Sequence, residues 1–552
     1  MPFPASGLRA LPCVPMGGMS RGCCMAAEMH AAIELPPASV ILPPLPDRLL
    51  DAVALDMVSG KVHVDRRRSG DPLLLTWMDR CRAAGVRLQM VVTDLDEVAA
   101  LRARGLRMSG GEQDNDLQVR AMALSLLAKA AAYKTSDIHM LMRGTHTEIQ
   151  VRRKGDLKVL ARVSQREGEE MARALYQGVA TVKDSSFNPL EFQNAQISGE
   201  AVADMGLTSV RLVRGPAFPV ETGGAFVVMR LQYTDAHEGR TDLPTLESPR
   251  RPEGELRLPA MGYTPLQVAL LMFLAETPNG VIAFTGPTGS GKTTSLAQML
   301  AHVARQWAEK RQVTIEDPVE YPLPWAVQMV INNAGTEEET GDAFAEKLRV
   351  GLRMDPDILL LGELRGPDSA VAALNAALTG HQVWTTLHVT DPFLSVERLE
   401  MMDPQRLHRR VFCDHKIVRG LIAQRIVPQL CPHCSVPLSE HLEEIPDRLL
   451  SALKTYGDIS AIRLKGPGCA RCGGDGIAGR MAVAEVVVTD ARLMRDFIEH
   501  GTDVARRNHR QREDTDLSLM ENAVMRVLEG SVDPRHVGQY VDVVVSKGEE
   551  DR

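Results

Sequence analysis

The stretch Val281-Ile-Ala-Phe-Thr285-Gly286-Pro-Thr-Gly-Ser-Gly291-Lys292-Thr293 decides the reading of this chain. Val281 to Thr285 predict a short buried strand. Downstream, Leu296, Met299, Leu300, Val303 and Trp307 recur at helical spacing and predict one apolar stripe. Between strand and helix, the residues satisfy G-x-x-x-x-G-K-[ST] at every specified position. Glycines let the backbone turn its N–H groups towards phosphate oxygens, and the positive end of the new helix faces the same charge. Lys292 can reach the β and γ phosphates, and the Thr293 hydroxyl can hold Mg²⁺. A Gly-rich turn copies parts of this pattern, but not with a strand before it and a helix after it. The expected nucleotide-binding set is therefore Gly286, Pro287, Thr288, Gly289, Ser290, Gly291, Lys292, Thr293 and Thr294.

A chain of 552 residues has room for about three or four domains. Apolar residues make up 44% and aromatics only 4%, so its cores are aliphatic. A net charge of −8 counts against a chain built mainly to grip nucleic acid, and no nucleic-acid partner is expected, although a local basic patch stays open. No apolar run approaches the roughly 18 residues of a membrane span. Residues 1–45 carry Pro and Gly throughout and lack a continuous apolar core for a secretory signal. They read as a disordered tail or an over-long start, since Met16, Met19, Met25 and Met29 can each initiate. Nine cysteines do not suggest a disulfide scaffold, and the expected compartment is cytoplasmic.

Residues 46–110 read as a small N-terminal α/β docking domain, with a strand at Val86 to Val92 and a helix start signalled by Asp94 and Glu97. Ser109 to Asp116 reads as a linker. Residues 117–235 read as a second α/β domain. It is expected to hold a helix from Val119 to Tyr133 and strands at 148–153 and 157–162, joined through Gly155-Asp156. Further strands at 209–213 and 225–231 each carry an arginine, Arg211 and Arg230; exposed strand arginines are usually solvated or structurally paired. The Pro- and charge-rich run 236–257 reads as an interdomain linker. Residues 258–552 form the third domain. Gln312 to Ile315 is a strand ending in Glu316-Asp-Pro-Val-Glu320, Ile358 to Leu361 one ending in Gly362-Glu363, and Val383 to Leu387 one flanked by His381 and His388. Asp368 to Leu378 is apolar nearly all round and reads as a buried helix stopped by Gly380. Alternating strands and helices predict a largely parallel sheet, whose ligand groups gather at the carboxyl ends of its strands. Glu316, Glu363 and His388 all stand at such ends.

Phosphoryl transfer to water needs neutralised phosphates, placed Mg²⁺ and a water held in line. A carboxylate ending the strand beside the phosphate loop suits that work. Glu363 is the first choice, followed by Glu316 and Glu320. Each acid alone reads as a helix cap or a solvated charge, and two after a phosphate loop favour function. His381 and His388 are placed to sense the γ phosphate, though a lone histidine is more often structural. The second signal is Cys431-Pro-His-Cys434 with Cys469-Ala-Arg-Cys472. Two C-x-x-C knuckles supply the four thiolates that tetrahedral zinc prefers, and leave no open position for catalysis. A redox pair, four ordinary buried residues, or His433 as a ligand are the alternatives; redox motifs rarely come doubled, and Gly468, Gly473 and Gly474 suit tight knuckle turns.

With these motifs the chain resembles the hexameric assembly ATPases of type II secretion and type IV pilus biogenesis. Gly286 to Thr293 is similar to their phosphate loop, Thr314 to Tyr321 to their acidic box and Leu352 to Glu363 to their second acidic strand. Thr379 to His388 is similar to their histidine box, and Ala423-Gln-Arg425 with the cysteine pairs to their zinc region. Ser136-Asp-Ile-His139, Arg211 and Arg230 fall on their second-domain pattern. The resemblance covers about 117 to 545. It implies a RecA-like phosphate-loop ATPase domain with a zinc-binding subdomain at 428–480, preceded by a PAS-like α/β domain. It also implies a homo-hexamer that hydrolyses ATP with Mg²⁺ and carries Zn²⁺. This ring would sit peripherally at the cytoplasmic face of the inner membrane, bind a polytopic platform protein and drive pilin or pseudopilin assembly or protein secretion. Catalytic roles are implied for Glu363, Glu316, Glu320, His388, Arg211 and Arg230, with Arg349 and Arg353 near the site. Retraction motors of the superfamily lack the paired knuckles, which favours assembly or secretion. In two places the chain departs from the family: Gly366 replaces the usual Asp after Gly362-Glu-Leu-Arg365, and Val389-Thr390 replaces Thr-Asn after His388. A conjugative-pilus or type IV secretion ATPase, a non-hydrolysing scaffold and a DNA-processing motor are the rival readings.

Overall fold

The computed structural model describes residues 49, 52–56, 61–83, 88–95, 97–98, 101, 112–331 and 337–549. The expected tail at 1–45 lies outside them. Two compact units divide between Asn115 and Asp116. In the first, strands Val53–Asp56, Lys61–Asp65 and Gln89–Thr93 form a three-stranded sheet backed by helix Pro72–Ala83. Leu74, Trp77 and Cys81 of the helix pack with Val53, Val62 and Val64. The strand predicted from Val86 begins at Gln89.

The second unit holds two seven-stranded sheets. The first is antiparallel throughout, in the order Asp156–Ser164, His146–Arg153, Asp137–Met142, Ala225–Tyr233, Leu207–Pro216, Gln193–Ser198 and Val182–Lys183. Helix Glu112–Ala132 contributes Ala123, Leu127 and Ala130 to its core. From Glu112 onward, therefore, the predicted linker is helix. The predicted hairpin exists, but its turn is one residue earlier. Lys154 and Gly155 both take positive φ, 53° and 93°, as a type I′ turn demands, and Asp156 already belongs to the strand. The run read as a free linker lies against this sheet: Val159 N–H donates to Glu247 O at 2.8 Å, and Tyr133 Oη to Pro244 O at 3.0 Å. An irregular backbone must find partners for its polar groups, and here a sheet edge supplies one of them.

The second sheet is parallel except at one edge. Its order is Val327–Val330, Gln312–Glu316, Ile358–Leu361, Gln382–Leu387, Gly280–Thr285, Val418–Leu430 and antiparallel Ile477–Val488. Strand Gly280–Thr285 is buried at every position, as its apolar run requires. Helix Lys292–Gln306 buries Leu296, Met299, Leu300 and Val303, the predicted stripe. Helix Pro367–Leu378 packs Ala370, Ala373, Leu374 and Ala377 into the core and gives way to Gly380 at φ 101°. Leu141, Val213, Phe226 and Val228 of the first sheet share one apolar cluster with Val327 and Met329 of the second and with Phe344 of helix Glu337–Gly351. Among the described residues, no helix is long and apolar enough to cross a membrane.

Candidate nucleotide and metal sites

The phosphate loop joins the carboxyl end of Gly280–Thr285 to helix Lys292–Gln306. Gly286, Gly289 and Gly291 hold φ values of 144°, 79° and 82°. Position 286 also admits no side chain, because a Cβ there would stand 2.5 Å from Gln424 O. Pro287, Thr288 and Gly289 form an exposed tip. Lys292 is buried, and its ammonium donates to Gly286 O at 2.8 Å and Pro287 O at 3.0 Å. Burial pushes this lysine below its ordinary range; Glu363 and Glu320 pull it back, and Arg425 pushes it down further. The loop rests on strand Val418–Leu430. Gln424 Nε2 donates to Ser290 O at 2.9 Å, while Gln424 Oε1 accepts from Tyr263 Oη at 2.6 Å. Tyr263 Oη also contacts Ser295 Oγ at 3.0 Å. Arg425 braces the next loop by donating to Thr390 O at 2.7 Å. The Thr294 hydroxyl meets Tyr321 Oη at 2.8 Å, which ties the helix start to the acidic box.

The strand beside the loop strand is Gln382–Leu387, not the one ending in Glu363. Glu363 stands one strand further out and Glu316 two. His388 closes that gap: its Nε2 lies 3.2 Å from Glu363 Oε2. Arg365 donates to the other Glu363 oxygen and lies 3.5 Å from Asp317. At the departure, Ser369 Oγ donates to Gly366 O at 2.8 Å and accepts from its N–H at 3.3 Å. Arg365 has Glu363 and Asp317 as acidic partners without a carboxylate at 366. Glu316 is buried, accepting from Thr314 and from Gln328 Nε2 at 2.9 Å; burial raises its carboxyl, and these bonds hold it down. Both partners belong to the sheet, Thr314 on its own strand and Gln328 on the next. Glu320 is exposed. His381 begins the other end of its strand, with Nδ1 3.0 Å from Ala376 O. A six-residue strand, about 20 Å, separates it from His388, so the two histidines do not converge.

The arginines stand elsewhere. Arg211 and Arg230 face each other across neighbouring strands of the first sheet. Arg230 donates to Asp137 at 2.8 Å and Asp355 at 3.2 Å. Arg211 is exposed and makes no side-chain hydrogen bond or ion pair among the described residues. Asp355 also accepts from Arg152 and lies 3.3 Å from His139 Nε2, while Asp357 takes Arg152 at 2.8 Å. Asp355 precedes strand Ile358–Leu361 and Glu363 follows it, so Arg230 meets the parallel sheet at its amino end, away from the phosphate loop. Arg353, bonded to Asn194 at 3.1 Å, lies on the same seam; Arg349 is exposed. This seam is what residue-by-residue reasoning missed, although Ser136-Asp-Ile-His139 was its visible trace.

Cys431, Cys434, Cys469 and Cys472 bring their sulfurs within 4.8 Å of one another, with 3.8 Å between 431 and 469, 434 and 472, and 469 and 472. A disulfide needs about 2.05 Å. Four ligands at about 2.3 Å around tetrahedral zinc stand about 3.8 Å apart, so the spacing fits that ion. N–H groups of Cys469 and Gly476 donate to Cys472 Sγ at 3.2 and 3.3 Å and hold its thiol down at about 6. Gly466 is needed for the knuckle, since a Cβ there would lie 1.6 Å from Cys434 O. His433 falls outside the cluster and contacts Arg471 at 2.8 Å.

A family model described as Type II/IV secretion system protein matches residues 112–539. Type II secretion system protein HxcR of Pseudomonas aeruginosa is 30% identical over 374 residues, 68% of this chain and 67% of that one. Type IV pilus assembly ATPase PilB of Thermus thermophilus is 34% identical over 271 residues, 49% of this chain but only 29% of that much longer protein. The solved structure of the pilus retraction motor PilT with bound ADP aligns with 75% of this chain and 96% of that one, at 20% identity and a TM-score of 0.38. The chain belongs to the type II/IV secretion system protein family, among its secretion and type IV pilus assembly ATPases.

Proposed function

We propose that this chain is a ring-forming motor, a homo-hexamer, that hydrolyses ATP to drive pilin or pseudopilin assembly or protein secretion. It would act peripherally at the cytoplasmic face of an inner membrane, through a platform protein. The observation that carries this reading is the Glu363–His388 pair at 3.2 Å, set at the carboxyl ends of strands beside a phosphate loop whose lysine feels Glu363. Residues 286–294 would cradle the triphosphate, with Lys292 exchanging its two loop carbonyls for phosphate oxygens. Thr293 would hold Mg²⁺, which when bound neutralises charge between the β and γ phosphates. Glu363, steadied by Arg365 and His388, would orient the attacking water, with Glu320 near the metal's shell; Glu316 would brace the acidic strand. Cys431, Cys434, Cys469 and Cys472 would hold zinc as a structural staple for 428–480. The first sheet of the second unit would serve as the PAS-like domain, and 46–110 as the docking domain.

A phosphate loop meets the γ phosphate from one side, and arginine's fork suits the other. Because Arg230 meets its own chain's sheet at the amino end, we assign Arg230, Arg211 or both to the nucleotide of a neighbouring subunit. Arg230→Ala and Lys292→Ala should each be nearly inactive alone. Mixed rings with subunit exchange confirmed should recover part of the ATPase activity, since some interfaces keep both intact parts. A mixture as inactive as its components would remove the trans assignment.

A further inference from the structure

A cavity of about 990 Å³ opens at the far end of the phosphate-loop helix. It is bounded by the first sheet, the 249–253 run, the 322–325 loop and Ala304 with Ala308. At 1.5 Å per residue, Ala304 is about 18 Å along the helix from Lys292, so this is not the nucleotide cradle. Its lining is unbalanced in charge. Glu148 and Glu253 are its acids, and each already has an arginine of the same wall: Arg162 at 2.8 Å and Arg250 at 2.7 Å. Arg143, Arg251, Lys310 and Arg311 also line it, and none has an ion pair among the described residues. Behind Arg311, Asp355 and Asp357 are engaged by Arg152.

Arg311 is the telling group. It is 1% exposed, its Nη2 donates to Gln150, and its Nε has no partner. Burial and the neighbouring Arg143 and Arg152 press its guanidinium down to about 9, and burial brings Arg143 to about 10. Asp355 and Asp357 pull Arg311 back up and Glu148 does the same for Arg143, yet the crowded arginines still repel each other, and a buried N–H left unbonded costs about 1–3 kcal/mol. An anion relieves both penalties. Trp325 and Phe218 give the same cavity apolar wall, and its volume is at the upper end for small-molecule sites.

We propose that this cavity binds a multiply charged anionic small molecule of the polyphosphate-bearing class, with Arg143, Arg251, Lys310 and Arg311 meeting its charges. Guanidinium forks match phosphate oxygens in pairs, and the four cations together call for several anionic groups. The chain's net charge of −8 disfavours loose anion binding elsewhere. Its occupant would touch the first sheet, the 249–253 run and the catalytic domain at once, stiffening one against the other. This site does not depend on the motor reading.

The test is calorimetric titration of the full chain with inositol hexakisphosphate and, separately, pyrophosphate, with one equivalent of Mg-AMP-PNP per chain so that the phosphate loop is filled and no excess nucleotide competes for the cavity. The wild type should bind at least one probe. Arg251→Glu with Lys310→Glu should weaken that binding about tenfold or more. Arg492→Glu with Arg495→Glu makes the same charge change on the exposed face of another helix and should leave it within about twofold. The stronger probe tells whether the organic or the inorganic phosphate fits. No binding of either probe up to about 1 mM overturns the site. So does equal weakening in both double variants, or wild-type affinity in the cavity variant.

Discussion

The phosphate loop and the cysteine cluster are both sites for a charged guest, yet they are held in opposite ways. Lys292 is satisfied by two carbonyls of its own loop, so a guest must displace existing bonds. The cysteine sulfurs stand mainly against one another and already hold tetrahedral spacing. The first arrangement suits a ligand that comes and goes, because each contact it takes has a substitute waiting. The second suits one that stays. Stability and turnover are thus written into different parts of one domain.

The sharpest way to break this contrast is at the loop. Lys292→Ala and Glu363→Gln should each lower ATPase turnover by about 10²–10³-fold, with Glu363→Gln still binding ATP. Full turnover by the glutamine variant would show that another group orients the water. On the permanent side, Cys469→Ser should drop zinc well below one per chain and loosen 428–480 to proteolysis, because metal-binding energy is folding energy in so small a unit. Full zinc in that variant, measured by metal analysis, would remove the four-thiolate assignment.

The seam between the sheets tests whether exchangeable contacts extend beyond the loop. Asp355 sits at φ 54°, which Asn tolerates, so Asp355→Asn removes charge without backbone strain. It should cost about 2–3 kcal/mol in chemical denaturation while leaving ATP affinity unchanged, since Arg152 and Arg230 each lose a carboxylate partner. An unchanged midpoint would mean that the seam is as loosely held as the loop.

The smallest effect concerns pH. His139 is fully buried, and burial first, then Arg311, lowers its pKa to about 4. The unfolded histidine titrates near 6.5, so between about 6.5 and 4 only the unfolded chain takes the proton, and stability falls as pH falls. The loss is about 2 kcal/mol at pH 5, and buried His509, also near 4, adds in the same direction. His139→Phe should flatten part of this slope in denaturation series from pH 7.5 to 5. An identical slope would show that His139 is charged in the folded chain.

The loop and the knuckles were legible because their chemistry is local: consecutive residues fix the glycine turns, the lysine and the thiolate spacing. Strand order was not, since pairing is decided by which strands bury each other. Hence Glu363 was placed next to the loop strand, while His388 actually stands there and Glu363 is reached through it. His381 and His388 look equivalent in sequence, but a strand carries them to opposite ends of the sheet. Gln424, Tyr263 and the Asp355 seam join residues more than a hundred positions apart, and no periodicity announces such pairs.

Strand Val418–Leu430 carries Gln424 under the phosphate loop and runs straight on to Cys431. Mechanically it is a cantilever, clamped at the loop, stiffened along its length by Ile477–Val488 and tipped with the cysteine knuckle. From Gln424 to Cys431 the beam is about 23 Å long, so a tilt of about 5° at its root swings the tip through about 2 Å. A tip stapled by zinc would not absorb that swing by bending. Whatever rests against the knuckle would therefore feel small rearrangements beneath Ser290 as displacement, with the load arm built from a two-stranded ribbon.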